Sequence, residues 1–254
     1  MIYKTLLACI LLGLNHAAYA IVNVSDLHLA DYPPGYSGSL AATLSSLSGN
    51  STKQEYELGT SLRWIEGQRS HMLLFDRAYG ENQSSAYVDK AFLHWRNIWQ
   101  RSSAFAWELF LQTEQDRFAR LSSRHLIGAG ARFTHLFAKQ GKLHLGSGLM
   151  QEQESLFDVG DTSDGGTLTP TRANLYLVVE YKLRDNLHLV SSTYLQPDLD
   201  NHTDYRFLEQ VSLRYTLNRA VSLKLNLNVR TDSTPPQTVK QTDTGLILGL
   251  EYSF

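Results

Sequence analysis

Apolar and polar residues alternate with a period of two along most of the chain. The final segment shows this most clearly, because every second residue is apolar and the last one is aromatic: Leu246, Leu248, Leu250, Tyr252 and Phe254. A strand places residues i and i+2 on the same face. We therefore predict a strand with one apolar face and one face that carries glycine, glutamate and serine.

The same alternation predicts about twelve strands, with the twelve segments at 36–48, 54–65, 70–79, 86–99, 103–114, 125–138, 142–153, 172–183, 186–196, 205–217, 221–230 and 242–254. A tilted strand needs roughly 9–11 residues to cross a membrane, and these segments meet that length. The register of the third segment stays open, because Leu73, Leu74 and Phe75 are consecutive apolar residues.

The connections between these segments alternate in length. Those after even-numbered segments are short, whereas those after odd-numbered segments are mostly longer and polar, such as residues 154–171. Short periplasmic turns and long external loops are typical of outer-membrane barrels. We predict an all-β fold: a transmembrane, antiparallel, up-and-down β-barrel of about 12 strands over residues 36–254. A β-sandwich explains the alternation, but not the aromatic residues near strand ends, such as Trp64, Trp99 and Tyr215.

The first twenty residues have the features of a secretory signal peptide. Lys4 precedes a short apolar run, and Ala18-Tyr19-Ala20 offers a small-x-small cleavage site. The run is shorter than the roughly 20 residues of a spanning helix. We predict Sec export, cleavage near Ala20, a periplasmic lead-in over residues 21–35, and integration into the bacterial outer membrane. A lipoprotein signal at Cys9 is the less favoured alternative, since it would leave a very short apolar segment.

Composition narrows the classes of function. The formal net charge of the full chain is −2, and no run of lysine or arginine indicates a nucleic-acid partner. The only cysteine, Cys9, lies in the predicted signal peptide. The mature chain would therefore contain no disulfide and no thiolate metal site.

Charged residues lie mostly on the strand face opposite to the apolar one; below, the parity of a residue means the face on which this alternation places it. A charge that faces lipid at mid-depth costs about 2–4 kcal/mol, so these residues are predicted to face the lumen. The candidate lumen-lining charges are Glu57, Arg63, Lys90, Arg96, Glu108, Arg132, Glu180, Lys182, Arg214, Lys224 and Glu251. Two interpretations stay open: a polar channel whose charges select solutes, or a salt-bridged interior that fills a closed barrel.

No catalytic or metal motif stands out. The chain contains neither His-x-Ser nor Gly-x-Ser-x-Gly, the patterns that would place a serine nucleophile beside its base. His94, His144 and His188 have inward parity, where a histidine is more often a hydrogen-bonded filler than a catalyst. Asp158, Asp161 and Asp164 are three residues apart, unlike the ligands of a calcium loop. We predict no catalytic residue, no metal site and no cofactor.

The start of the predicted barrel resembles a known family. Gly35-Tyr36-Ser37-Gly38-Ser39-Leu40 is followed by Ser48-Gly49-Asn50-Ser51-Thr52, and Asn23–Asp26 precedes them. These segments resemble the beginning of an uncharacterised family of outer-membrane proteins described as salt-induced, with Ser51 in place of the family's threonine. The resemblance implies an outer-membrane barrel and no established activity, so it transfers no catalytic residues.

The expected function is therefore passive. We predict a monomeric barrel that is either a narrow channel or an envelope-stabilising protein, in contact with outer-membrane lipids and lipopolysaccharide. Tyr252 and Phe254 are assigned to recognition by the barrel-assembly machinery during insertion, as in outer-membrane proteins as a class. Two alternatives stay open: an enzyme that acts on lipid or lipopolysaccharide, and a closed docking barrel that presents the loop at 154–171.

Overall fold

The structure is a computed structural model that describes residues 34–47, 53–83, 85–137, 140–158 and 166–254. Most of these residues form antiparallel strands. The strands are β1 (Gly35–Leu47), β2 (Lys53–Glu66), β3 (Arg69–Asn82), β4 (Ser85–Gln100), β5 (Phe105–Asp116), β6 (Leu121–Phe137), β7 (Gly141–Leu156), β8 (Thr167–Leu168), β9 (Thr171–Arg184), β10 (Leu187–Pro197), β11 (Tyr205–Thr216), β12 (Val221–Asp232) and β13 (Thr242–Ser253). The predicted signal peptide and the lead-in up to residue 33 lie outside the described residues.

Twelve long strands close into a barrel. Each pairs with its neighbour in sequence, β7 pairs with β9, and β1 pairs with β13 to complete the ring. β8 is a two-residue strand that extends the edge of β7. The prediction of an antiparallel up-and-down barrel with about twelve strands is confirmed. Within the described residues, no helix is long and apolar enough to cross a membrane.

The two ends of the barrel differ. At one end, here the turn end, the connections are residues 67–68, 101–104, 138–140, 185–186 and 217–220, and the chain ends there at Phe254. At the other, the loop end, they are residues 48–52, 83–84, 117–120, 157–170, 198–204 and 233–241. The predicted alternation in length holds for most connections. It fails after β3 and β5, where connections of two and four residues are no longer than the longest turn-end connections.

The outer surface is a belt of leucines with aromatic residues near its edge. Trp99, Trp107, Tyr215, Tyr252 and Phe254 lie within three residues of the turn-end limits of their strands and are exposed. Such a belt, bounded by aromatic side chains, is typical of a barrel that spans a membrane.

The third strand is regular despite its consecutive apolar residues. Leu73 and Phe75 are exposed on the outer face, while Leu74 points inward and is buried. Leu74 belongs to an apolar cluster inside the barrel, which comprises Met72, Leu74, Phe92, Ile98, Ala106, Tyr176, Val178, Val190 and Tyr194. An inward position is thus not always polar, because the interior of a barrel of this size is filled with side chains.

β6 begins earlier than its hydrophobic pattern predicts. The strand starts at Leu121 rather than at His125, and an irregularity near Leu121 and Ser123 shifts its pairing with β7. Its first residues are mostly polar, which is why the alternation misses them. They continue the strand into the loop end, where Arg124 is buried in an ion-pair network.

The barrel interior as candidate functional site

Most of the predicted lumen charges have side chains inside the barrel. Arg63, Arg96, Glu108, Arg132, Lys224 and Glu251 are buried. Glu57 and Lys90 line an interior cavity. The side chains of Glu180 and Arg214 are only 12 % and 18 % exposed. Lys182 differs, because its side chain is 42 % exposed and its Nζ lies 2.8 Å from the carboxylate of Asp185 in a turn. Lys182 therefore lies at the rim of the turn end rather than in the lumen.

Glu108 on β5 is the centre of a network of ion pairs and hydrogen bonds at mid-height of the barrel. It accepts a hydrogen bond from the hydroxyl of Tyr176 at 2.7 Å, and Nη1 of both Arg96 and Arg132 lies 3.5 Å from its carboxylate. Arg96 also forms a side-chain hydrogen bond with Tyr194 on β10, five strands away around the ring. These contacts cross the interior and tie distant strands together at mid-height.

A second network occupies the loop end. Glu152 on β7 accepts hydrogen bonds from Arg124 at 3.1 Å and from Arg206, and Nε of Arg172 lies 3.6 Å from its carboxylate. Arg206 also contacts Glu154 at 2.5 Å. Glu152 is 1 % exposed, so all three guanidinium groups share a carboxylate that is shielded from water.

One ion pair of the loop-end network spans the full width of the barrel. Nη1 of Arg230 on β12 lies 2.7 Å from Oε1 of Glu114 on β5. These two strands are six positions apart in a ring of twelve, so they lie on opposite walls. The Arg230–Glu114 pair therefore crosses the lumen near the loop end.

Arg120 connects three loops at the loop end, beyond this network. Its Nη1 donates to the carbonyl of Gln237 at 2.9 Å, and its Nη2 donates to the carbonyl of Phe157 at 3.3 Å. The residue has a left-handed φ of 58° and is buried. The loops after β5, β7 and β12 are thus drawn together across the loop end.

An interior cavity of about 110 Å³, here the long cavity, runs along the wall formed by β1, β2 and β13. Its lining reaches from Lys224 and Glu251, in the turn-end third of their strands, to Lys90 and Glu114, in the loop-end third of theirs. The space exists because small residues face inward on this wall, among them Ser39, Ala41, Gly59 and Gly249. A second cavity, of about 100 Å³, lies beside His94 and Arg124.

The turn end of the long cavity is closed by two ion pairs that share one carboxylate. Nζ of Lys224 lies 3.0 Å from one oxygen of Glu251, and Nη2 of Arg214 lies 3.0 Å from the other. Glu251 is 1 % exposed. Ion pairs therefore limit this cavity at both of its ends, toward the turn end and toward the loop end of the barrel.

Two of the inward histidines, His94 and His144, are hydrogen-bonded. His94 stacks between Phe92 and Phe110, and its Nδ1 lies 3.0 Å from Gln112. His144 lies between a hydroxyl and a carboxylate, with Thr134 Oγ1 2.9 Å from Nδ1 and Glu180 Oε1 3.0 Å from Nε2.

The Thr134, His144 and Glu180 side chains have the order of a nucleophile, base and orienting acid. However, His144 is 1 % exposed, so its imidazole offers no open face to a substrate. This row ties β6, β7 and β9 together. The predicted acidic loop cannot be compared, because Asp161 and Asp164 lie outside the described residues, and no group of three metal-ligating side chains occurs in the described part of the chain.

The pattern-based prediction missed most of the loop-end network. Glu114, Arg124, Glu152, Arg172 and Arg206 are buried there but were not among the predicted lumen charges. Parity alone would have indicated Glu152, which shares the face of His144. The pairing was not accessible from spacing, since Arg206 and Glu152 are 54 residues apart in the chain and Arg230 and Glu114 are 116 apart.

The fold and its interior define a closed, antiparallel, twelve-stranded β-barrel with an ion-paired lumen. The chain belongs to the family described as "Protein of unknown function, DUF481", whose model matches residues 40–254. That description assigns no activity and does not mention salt. No curated protein matches the sequence.

Solved structures share the fold at low sequence identity. The translocator domain of the autotransporter NalP from Neisseria meningitidis aligns with a TM-score of 0.50 and 11% identity, over 91% of this chain and 92% of that one. The KdgM porin in complex with disordered oligogalacturonate aligns with a TM-score of 0.48 and 11% identity, over 86% and 99%. The NanC porin gives 0.46 and 7%, over 85% and 96%. At such identities the likeness concerns the fold alone.

Proposed function

We propose that this protein is a monomeric outer-membrane barrel that acts as a narrow passive channel for small ions. The long cavity carries the proposal, because it runs lengthwise inside the barrel and is lined by both acidic and basic side chains, including Glu57, Lys90, Lys224 and Glu251. Charged groups in a narrow pore act as a selectivity filter. The conformation described here is the closed one, with the Arg230–Glu114 pair and the Lys224–Glu251–Arg214 group as the two barriers.

The size of the lumen limits the solutes. A cavity of about 110 Å³ holds several water molecules, since each needs roughly 10–15 Å³ by the same kind of measure. It does not accommodate a sugar chain or a peptide. The lumen is therefore suited to small hydrated ions, at a conductance well below that of the water-filled lumen of a wide porin.

The proposal predicts that Lys224→Glu shifts ion selectivity toward cations. The substitution replaces the ammonium group beside Glu251 with a second carboxylate, so the field at the turn end of the cavity becomes more negative. The measurement is the reversal potential of the refolded barrel in a planar bilayer under a potassium chloride gradient. Lys224→Gln, which only removes the charge, should give a smaller shift in the same direction.

Arg219→Glu is the matched control for this experiment. It makes the same change of charge at an exposed position in the turn between β11 and β12. Its reversal potential should stay close to that of the wild type. An unchanged potential in Lys224→Glu would remove Lys224 from the conduction path. A barrel that is silent in all variants would favour the envelope-stabilising alternative.

The C-terminal residues are proposed to serve assembly. Phe254 exchanges backbone hydrogen bonds of 3.0 Å with Gly38, and its ring lies 6.2 Å from that of Tyr252. The same residue thus offers an exposed aromatic group to the assembly machinery and extends the pairing between β1 and the chain end. Close approach of its ring requires the glycine at position 38, where a Cβ would lie 2.7 Å from the Phe254 ring.

Deletion of Phe254 should lower the yield of assembled barrel, because it removes both the aromatic group and the two hydrogen bonds. Phe254→Ala keeps the backbone bonds, so it isolates the contribution of the ring. The readout is the fraction of outer-membrane protein with heat-modifiable migration on a gel. Wild-type yields for both variants would show that neither feature is needed.

The link to salt is kept as a proposal on the resemblance of residues 35–40 and 48–52. It predicts a higher transcript level after growth in concentrated sodium chloride than after growth at equal osmolarity in sucrose. Equal levels would disconnect the protein from salt.

A further inference from the structure

The barrel is closed over only part of its height where its first and last strands meet. β1 and β13 pair from Ser39↔Ser253 to Ala42↔Leu250. By contrast, β1 pairs with β2 along its whole length, and β13 pairs with β12 from Thr242 onward. In the described residues, β1 beyond Ala42 and β13 before Leu250 are therefore paired on one side only. We call this stretch the seam gap; it lies in the loop-end half of the wall.

The seam gap lies between the lipid side of the wall and the long cavity. On its outer side Leu44, Leu246 and Leu248 are 83 %, 51 % and 57 % exposed. On its inner side Thr43, Ile247 and Gly249 line the cavity. Unpaired strand edges are costly in hydrocarbon, because no water is present there to satisfy their N–H and C=O groups. A ligand with polar groups in the gap would satisfy these N–H and C=O groups.

Polar atoms without partners flank the gap on its inner side. Oε1 of Glu57, Oδ1 of Asn226, and both Oδ1 and Nδ2 of Asn228 are buried and have no hydrogen-bond partner among the described residues. Glu57 lies opposite Thr43 on one side, and Asn226 and Asn228 lie opposite Ile247 and Gly245 on the other. Asn228 is 1 % exposed. Buried polar groups are normally paired, so such a cluster indicates a missing partner.

The chemistry of these atoms restricts that partner. Three of the four are acceptors, and one of them belongs to the carboxylate of Glu57, which also interacts electrostatically with Lys90 in the same cavity. The remaining acceptor capacity suits a group with several N–H donors. The exposed leucines outside the gap call for a hydrocarbon chain. We propose that the seam gap is a lateral opening that binds an alkyl amine, with its ammonium head in the cavity and its chain in the membrane. This goes beyond axial conduction and holds whether or not ions pass through the barrel.

The opening is tested by the exposure of an inward-facing label to the lipid phase. A spin label at Ile247→Cys, in refolded barrels in vesicles, should collide with lipid-soluble oxygen nearly as often as a label at outward-facing Leu248→Cys. The control is Ala41→Cys, which faces the same cavity where β1 is paired on both sides. A label at 247 that is as shielded from oxygen as the label at 41 would overturn the opening.

The ligand class is tested with dodecylammonium and dodecyl sulfate, which share a chain length but differ in head group. Native mass spectrometry of the barrel in an uncharged detergent should show one saturable dodecylammonium adduct and no saturable sulfate adduct. Glu57→Gln should weaken the amine about tenfold, since it removes a charged acceptor. Asn226→Leu, in the lining of the cavity, should weaken it as well, whereas Glu66→Gln, at the exposed turn end of β2, should not.

The two experiments separate the two parts of the proposal. Oxygen access at 247 with amine binding that depends on Glu57 supports both parts. Oxygen access without saturable amine binding, or with equal affinity in Glu57→Gln, overturns the ligand class. Heat-modifiable migration of each variant verifies that the barrel has folded, so a loss of binding cannot arise from a misfolded protein.

Discussion

Replacing Arg230 by glutamine should raise the single-channel conductance of the barrel several-fold. Arg230 reaches from β12 to Glu114 on the opposite wall, and the 2.7 Å ion pair crosses the lumen near the loop end. Glutamine is shorter and uncharged, so the bridge is lost and the space that it occupied becomes available to water and ions. The measurement is the distribution of conductance steps in a planar bilayer at fixed salt concentration.

Arg77→Gln is a closely matched control. Arg77 also forms an ion pair of 2.7 Å, with Asp89, and its side chain is 35% exposed against 34% for Arg230. On β3, however, Arg77 lies on the outward face with Leu73 and Phe75, and Asp89 is on the neighbouring strand β4, so the loss of Arg77 removes no bridge across the lumen. Equal conductance of wild type, Arg230→Gln and Arg77→Gln would show that the Arg230–Glu114 pair is not the barrier to conduction.

Glu152→Gln should destabilise the barrel by about 3–5 kcal/mol, the usual cost of removing one partner from a buried ion pair. Arg124, Arg172 and Arg206 all face this carboxylate, which is 1 % exposed. Without its charge, three guanidinium groups are held together in a poorly hydrated interior. The measurement is the urea midpoint of unfolding from lipid vesicles, followed by tryptophan fluorescence.

Glu66→Gln makes the same chemical change at the exposed turn end of β2 and should alter the stability by less than about 0.5 kcal/mol. Arg206→Gln should reproduce much of the loss seen in Glu152→Gln, because it breaks the same network from the other side. Midpoints that coincide for all of these variants would mean that the loop-end network contributes nothing to the stability of the folded barrel.

The closed interior also bears on the two interpretations that the sequence pattern left open, a polar channel and a salt-bridged interior that fills a closed barrel. Charges of both signs face inward, as the pattern indicates, yet most of them contact a partner in another strand. A channel must therefore break or bypass ion pairs in order to conduct, which makes it gated or weakly conducting. The lengthwise cavity is the route that such a bypass would follow.

Strand number, strand direction and the two faces of each strand follow from the sequence alone. They depend on the period-two alternation and on the lengths of the connections, which are local properties of the chain. The segment from Val221 to Val229 shows why this works. Lipid and lumen impose opposite demands on neighbouring residues, so the five lipid-facing positions of this segment are all apolar. Inward apolar residues such as Leu74 occur where the inward environment is itself apolar.

The pairing of charges, the cavity and the incomplete seam between β1 and β13 were decided only by the tertiary structure. Arg230 and Glu114 are 116 residues apart, and no local pattern indicates that closure places them on facing walls. The length of the seam depends on how the first and last strands align when the ring closes. Sequence thus determines which face of each strand meets lipid, because that depends on the residue itself. Closure of the barrel determines which inward residues meet, because that depends on all twelve strands at once.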